Sequence, residues 1–211
     1  QVFGLARPRN AQQPAPLPVA DRPIAVANAE LDGDGKLDLL AIADPIVVTT
    51  PGVLSVWRGL GNGSYGPRAD YSVKPHPFAL AVADIDGNGT PDALVATAGI
   101  GQALDPAHRA SLSAFLGNGA GGFSSVVTSD LAQQFIGVRA DIGDVNGDGT
   151  IDVVLSGDFA LSIYQPPLFA TMLGDGLGHF AAVAYEPSDR LQILKLRDWD
   201  GGGKLDVARF P

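Results

Sequence analysis

Asp144-Val-Asn-Gly-Asp-Gly-Thr-Ile-Asp152 decides the reading of this chain, because near copies of it recur. They stand at Glu30-Leu-Asp-Gly-Asp-Gly-Lys-Leu-Asp38, Asp84-Ile-Asp-Gly-Asn-Gly-Thr-Pro-Asp92 and Asp198-Trp-Asp-Gly-Gly-Gly-Lys-Leu-Asp206. Their first residues lie 54, 60 and 54 positions apart. One such segment is an ordinary Asp/Gly turn. Four at near-constant spacing are the mark of a repeated structural unit.

A second motif falls between them: Leu60-Gly-Asn-Gly-Ser-Tyr65, Leu116-Gly-Asn-Gly-Ala-Gly-Gly-Phe123 and Leu173-Gly-Asp-Gly-Leu-Gly-His-Phe180. Aligned by letter, Asn62, Asn118 and Asp175 share a phase, and the Asn-Gly and Asp-Gly pairs predict hairpin turns with positive φ at both residues. Apolar runs flank both motifs. Pro77-Phe-Ala-Leu-Ala-Val-Ala83 alternates, with Phe78, Leu80 and Val82 on one face and alanines on the other, the period of a strand. Asp38–Ala43 and Asp152–Leu155 leave the acidic loop, Leu54–Trp57 and Ser113–Leu116 enter the second turn, and Ala69–Val73 and Phe123–Val127 leave it. Gln102–Arg109 holds at most one helical turn.

The fold class that follows is all-β: a β-propeller of four-stranded antiparallel blades with four repeat units. A β-helix uses shorter coils, and a β-sandwich does not repeat its loops in phase. The units run over about 20–74, 75–130, 131–187 and 188–211, the last completed by 1–19. Val207–Phe210 ends a second strand, whereas Val2–Leu5 and Pro14–Val19 read as a third and fourth. The two N-terminal strands are therefore expected to pair with the two C-terminal ones and close a ring, which removes exposed edges. The same halves also suit pairing between chains, as a dimeric ring or a fibre, or a place within a longer propeller.

The nine-residue loop carries the chemistry. Calcium takes 6–8 oxygens, and an odd-position pattern with glycine at position 6 supplies them in a tight curl. The expected side-chain ligands are Glu30, Asp32, Asp34 and Asp38; Asp84, Asp86, Asn88 and Asp92; Asp144, Asn146, Asp148 and Asp152; and Asp198, Asp200 and Asp206. Position 7 offers the carbonyls of Lys36, Thr90, Thr150 and Lys204, with side chains that need not bind. Up to four Ca²⁺ ions are expected. Gly202 occupies position 5 of the fourth loop, so that site lacks one ligand and is expected to be the weakest.

These loops hold 13 of the 23 acidic residues in a chain of net charge −9. Carboxylates packed so closely repel one another without a cation. An acidic balance without a basic stripe argues against nucleic-acid binding. No apolar run reaches the length of a membrane span. With no cysteine there is no disulfide and no thiol chemistry. His76, His108 and His179 fall in connections and do not recur, and no serine sits in a nucleophile elbow. The chain therefore reads as a non-enzyme.

The two motifs together resemble the FG-GAP/VCBS repeat family, which forms the integrin-α-like propeller, over about residues 20–211. The resemblance implies calcium in the loop between the first two strands of each blade and an extracellular or cell-surface setting. Glu30, Gly202 and a count of four units depart from the family pattern. The function expected is a secreted, calcium-stabilised structural or adhesive module that contacts protein and self-associates through its terminal strands. The alternatives are a lectin-like module that binds glycan through Trp57, Tyr65, Tyr71, Tyr164 or Trp199, or a non-catalytic piece of a polysaccharide-active enzyme. The unrepeated stretches Gly99–Arg109 and Phe159–Leu168 are the expected partner surfaces.

Overall fold

The computed structural model describes residues 17–18, 22–45, 50–98, 109–131, 135–159, 168–187, 193–201 and 205–210. These residues contain no helix, hence none long and apolar enough to cross a membrane. They form fourteen strands. The first sheet holds β1 (Pro23–Ala29), β2 (Asp38–Ala43), β3 (Gly52–Gly59) and β4 (Tyr65–Val73). The second holds β5 (Pro77–Ala83), β6 (Asp92–Thr97), β7 (Ser111–Gly117) and β8 (Phe123–Asp130). The third holds β9 (Phe135–Gly143), β10 (Asp152–Phe159), β11 (Leu168–Gly174) and β12 (Phe180–Pro187). A last pair is β13 (Ile193–Arg197) with β14 (Asp206–Phe210).

Every pairing is between sequence neighbours and antiparallel, so the architecture is three four-stranded meanders and a two-stranded sheet. Of the N-terminal strands expected to complete the last pair, Leu17 and Pro18 are described and stand in no strand, while the rest, with most of the Gln102–Arg109 turn, lies outside the described residues.

Strand alternation sends one row of side chains toward each neighbour. Leu40, Ile42, Leu54 and Val56 of the first sheet pack with Ala93, Val95 and Phe115 of the second. From its other face the second sheet sends Leu94, Ala96, Leu112 and Ala114 against Val153, Leu155, Ala170 and Met172 of the third. Val154 and Phe169 then meet Leu196 of β13. The sheets thus stack face to face in chain order, each seam a core of its own.

The alternation read for β5 holds with one change. Leu80 and Val82 face the first seam, and Ala79, Ala81 and Ala83 the second. Phe78 joins the alanines, because Pro77 pairs with Thr97 while Ala79 pairs with Ala96. The bulge inserts Phe78 as the extra residue and turns its ring to the other side.

In each four-stranded sheet the acidic loop and the second hairpin lie at one end. At the opposite end, Asp44 Oδ2 sits 3.5 Å from His76 Nδ1 and 3.9 Å from the Arg22 guanidinium, joining the first two sheets.

Candidate metal centre

Each acidic loop is curled by its own side chains. Position 3 accepts the amide of position 5, and position 5 that of position 7: Asp32 from Asp34 and Asp34 from Lys36, Asp86 from Asn88 and Asn88 from Thr90, Asn146 from Asp148 and Asp148 from Thr150. Position 1 reaches across the curl. Glu30 Oε1 accepts from Asp32, Gly33 and Asp34; Asp84 from Gly89; Asp144 from Gly147, Asp148 and Gly149; Asp198 from Gly201. These Asx-type turns need left-handed backbone at position 4 as well as position 6, which is why Gly33 and Gly35 (φ 77° and 78°) recur as Gly87 and Gly89, and as Gly147 and Gly149.

The curl brings positions 1, 3 and 9 together. Glu30, Asp32 and Asp38 each offer a carboxylate oxygen within 4.8 Å of the others. Asp84, Asp86 and Asp92 do the same, as do Asp198, Asp200 and Asp206. These trios could hold a metal ion. In the third loop position 3 is Asn146, so its oxygen there is an amide. Position 5 stands outside the trios and turns to neighbours: Asp34 to Lys36 Nζ at 2.7 Å, Asn88 to Asp86 and Asp148 to Asn146. Lys204, with Gly202 and Gly203, lies outside the described residues.

Position 9 has a task that its spacing did not reveal. Asp92 and Asp152 are fully buried and Asp38 nearly so. Asp38 accepts from Leu31 N at 2.9 Å and Gly59 N at 2.8 Å. Asp92 accepts from Ile85 N and Gly117 N, both at 2.7 Å, and Asp152 from Val145 N at 3.0 Å and Gly174 N at 2.9 Å. Asp206 accepts from Trp199 N. In each of the three four-stranded sheets, one carboxylate therefore fastens the acidic loop to the second hairpin. Burial pushes the Asp92 carboxyl up, against the Gly117 and Ile85 amides that hold it down.

The position-7 side chain also contributes to this junction. Thr90 Oγ1 donates to Asn88 Oδ1 and approaches the Gly117 carbonyl, and Thr150 Oγ1 bonds Asp148 Oδ1 and the Gly174 carbonyl. The Thr150 hydroxyl, then Asn146, holds the Asp148 carboxyl below its usual range. In the first loop the Lys36 ammonium lowers the Asp34 carboxyl and is itself raised by it.

The second motif needs a correction of register. Gly59, Gly117 and Gly174 pair with Tyr65, Phe123 and Phe180. Leu60 N, Asn118 N and Asp175 N donate to the carbonyls of Ser64, Gly122 and His179. Leu60 is thus the counterpart of Asn118 and Asp175, and Asn62 is out of phase by two. The connections are five-residue loops, not two-residue turns. Positive φ falls on Gly61 and Gly63, Gly119 and Gly121, and Gly176 and Gly178, and not on the Asn or Asp.

Of the aromatic candidates, Trp57 is buried, and Tyr71 packs edge-on against Phe115 and Phe123 with its hydroxyl bonded to Phe123 N. Tyr65 is half-buried. Trp199 is 55% exposed with Arg197 over its ring, and Tyr164 lies outside the described residues. Of the histidines, His76 pairs with Asp44 far from the loops, His179 closes a hairpin, and His108 lies outside the described residues.

No curated protein matches the chain at significant similarity. Residues 30–95, from the first acidic loop through the second and into β6, match the FG-GAP-like repeat. The stretch that is similar to the FG-GAP-like repeat, under a third of the chain, thus holds the first two acidic loops and the hairpin that lies between them.

Proposed function

We propose that this protein is a calcium-stabilised, non-catalytic β-propeller that serves as an extracellular structural or adhesive interaction module. The observation that carries it is the recurrence, in the first, second and fourth loops, of three carboxylate oxygens gathered within 4.8 Å of one another. Like charges at that range are costly without a cation, and a donor set made only of oxygens suits a hard divalent ion. The ligands would be the odd-position residues of each nine-residue loop, completed by position-7 carbonyls. The fourth loop, with Gly202 at position 5, is the weakest. One domain of four blade units, closed by the terminal strands, completes the reading, and stacking of the sheets in chain order supports it. Calcium would then fix the β1–β2 type of connection in each blade and, through position 9, the β3–β4 hairpin.

Melting followed by circular dichroism tests this reading. A site of ~10 µM affinity in ~1 mM calcium adds about 2.7 kcal/mol. Chelation is therefore expected to lower Tm by several degrees, with calcium restoring it and magnesium doing so poorly. Equal melting with calcium and with chelator would refute it.

A glycan partner keeps one supporting residue, the exposed Trp199 in the fourth loop. A glycan array in calcium with no hits leaves protein as the partner class.

A further inference from the structure

The three acidic loops of the four-stranded sheets are not electrically alike. The first carries four carboxylates, Glu30, Asp32, Asp34 and Asp38; the second carries three, with Asn88 at position 5; the third carries three, with Asn146 at position 3. In the second and third loops the Asp and Asn of positions 3 and 5 hydrogen-bond to each other, Asn88 Nδ2 to Asp86 at 2.9 Å and Asn146 Nδ2 to Asp148 at 2.8 Å. The first loop has two aspartates there and no amide to join them. Two cations take that place. Lys36 Nζ is 2.7 Å from Asp34 Oδ2, and Arg58 Nε is 3.8 Å from Asp32 Oδ2.

Arg58 is held there from the neighbouring sheet. It donates to the Ala120 carbonyl, and a Cβ on Gly121 would strike the guanidinium. Gly121 N in turn donates to Leu31 O, inside the first acidic loop, at 3.1 Å. Strand pairing places Leu116 and Leu173 where the first sheet has Arg58, and Thr90 and Thr150 stand where it has Lys36. Among the described residues, no lysine or arginine pairs with a carboxylate of the second or third loop.

We infer that Lys36 and Arg58 supply part of the positive charge that calcium supplies in the other loops, so that the first loop binds calcium more weakly than the second and third. This rests on the calcium reading above. Two of its expected ligands, Asp32 and Asp34, must give up a fixed cation before they can serve an ion. An exposed ion pair contributes at most a few-fold to an equilibrium. Two of them, one held by a second sheet, put the expected separation at about fivefold or more.

Calcium titration of the full chain, followed by the ¹H–¹⁵N signals of the position-6 glycines, reads each loop separately. Gly89 and Gly149 are expected to shift first, and Gly35 at a calcium concentration at least about fivefold higher. The double variant Lys36→Thr with Arg58→Leu gives the first loop the side chains of its counterparts. It is expected to bring the Gly35 midpoint down toward that of Gly89 and leave Gly149 where it was. A Gly35 midpoint equal to or below the others in the unaltered protein overturns the inference. So does a Glu30→Asp variant that alone removes the difference, since the cause is then the length of the position-1 side chain. If no glycine responds, the calcium reading falls and takes the inference with it. Responses at Gly89 and Gly149 with no lag at Gly35 sink the inference alone.

Discussion

Asp38, Asp92 and Asp152 tolerate burial because each carboxylate has backbone amides aimed at both of its oxygens. A buried carboxylate with two such donors is a strong junction, and one donor lost leaves a costly orphan. Asp92→Asn keeps the size and loses one acceptor, so that an amide N–H faces an NH₂ group. We expect a loss of about 1–3 kcal/mol in urea unfolding. The measurement is made with chelator present, so that metal plays no part. Asp148→Asn, at an exposed position 5, is expected to change stability by no more than about 0.5 kcal/mol under the same conditions. Equal losses would mean that the position-9 carboxylate does not fasten the loop to the hairpin.

At the scale of elements, the hairpin and the acidic loop form one unit, and glycine sets the distance between them. A Cβ at Gly59, Gly117 or Gly174 would fall on the carbonyl oxygen of Leu37, Pro91 or Ile151, the position-8 residue of its own acidic loop. Gly117→Ala is expected to cost about 2–4 kcal/mol in thermal or chemical unfolding, whereas Asn62→Ala, at a hairpin tip, costs about 1 kcal/mol or less. That contrast also explains what the sequence revealed and what it hid. Strands such as Pro77–Ala83 were legible because alternation and the repeat each identify them. The Phe78 bulge was not, since a one-residue slip in pairing leaves no mark in composition. The hairpin register was misread because Leu-Gly-Asn-Gly matches by letter, while what repeats physically is a glycine at the close approach followed by two glycines of positive φ. The loop ligands could be proposed from local spacing. The second task of Asp38, and the reach of Arg58 to Asp32, depend on residues about twenty or more positions away. No local pattern encodes them.

For the whole molecule, stability is shared among seams between successive sheets, as in other repeat proteins whose units contact only their neighbours. Leu155 is fully buried in the seam between the second and third sheets. Leu155→Ala is expected to cost about 2–5 kcal/mol. Val183→Ala, on the exposed face of β12, is expected to stay within about 0.5 kcal/mol. If both variants melt with the parent protein, the seam does not carry the fold.

The two ends of the sheets keep different tolerances for length. At the acidic end, every first-to-second-strand segment runs nine residues from position 1 to position 9, and every hairpin of the three four-stranded sheets spans five. At the other end, the connection between second and third strands varies: eight residues separate Ala43 from Gly52, thirteen Thr97 from Ser111, and eight Phe159 from Leu168. Foreign peptide, a tag or a second domain therefore has a natural point of entry between β6 and β7. A single residue added between Asp84 and Asp92 would dislodge an acidic loop and a hairpin together.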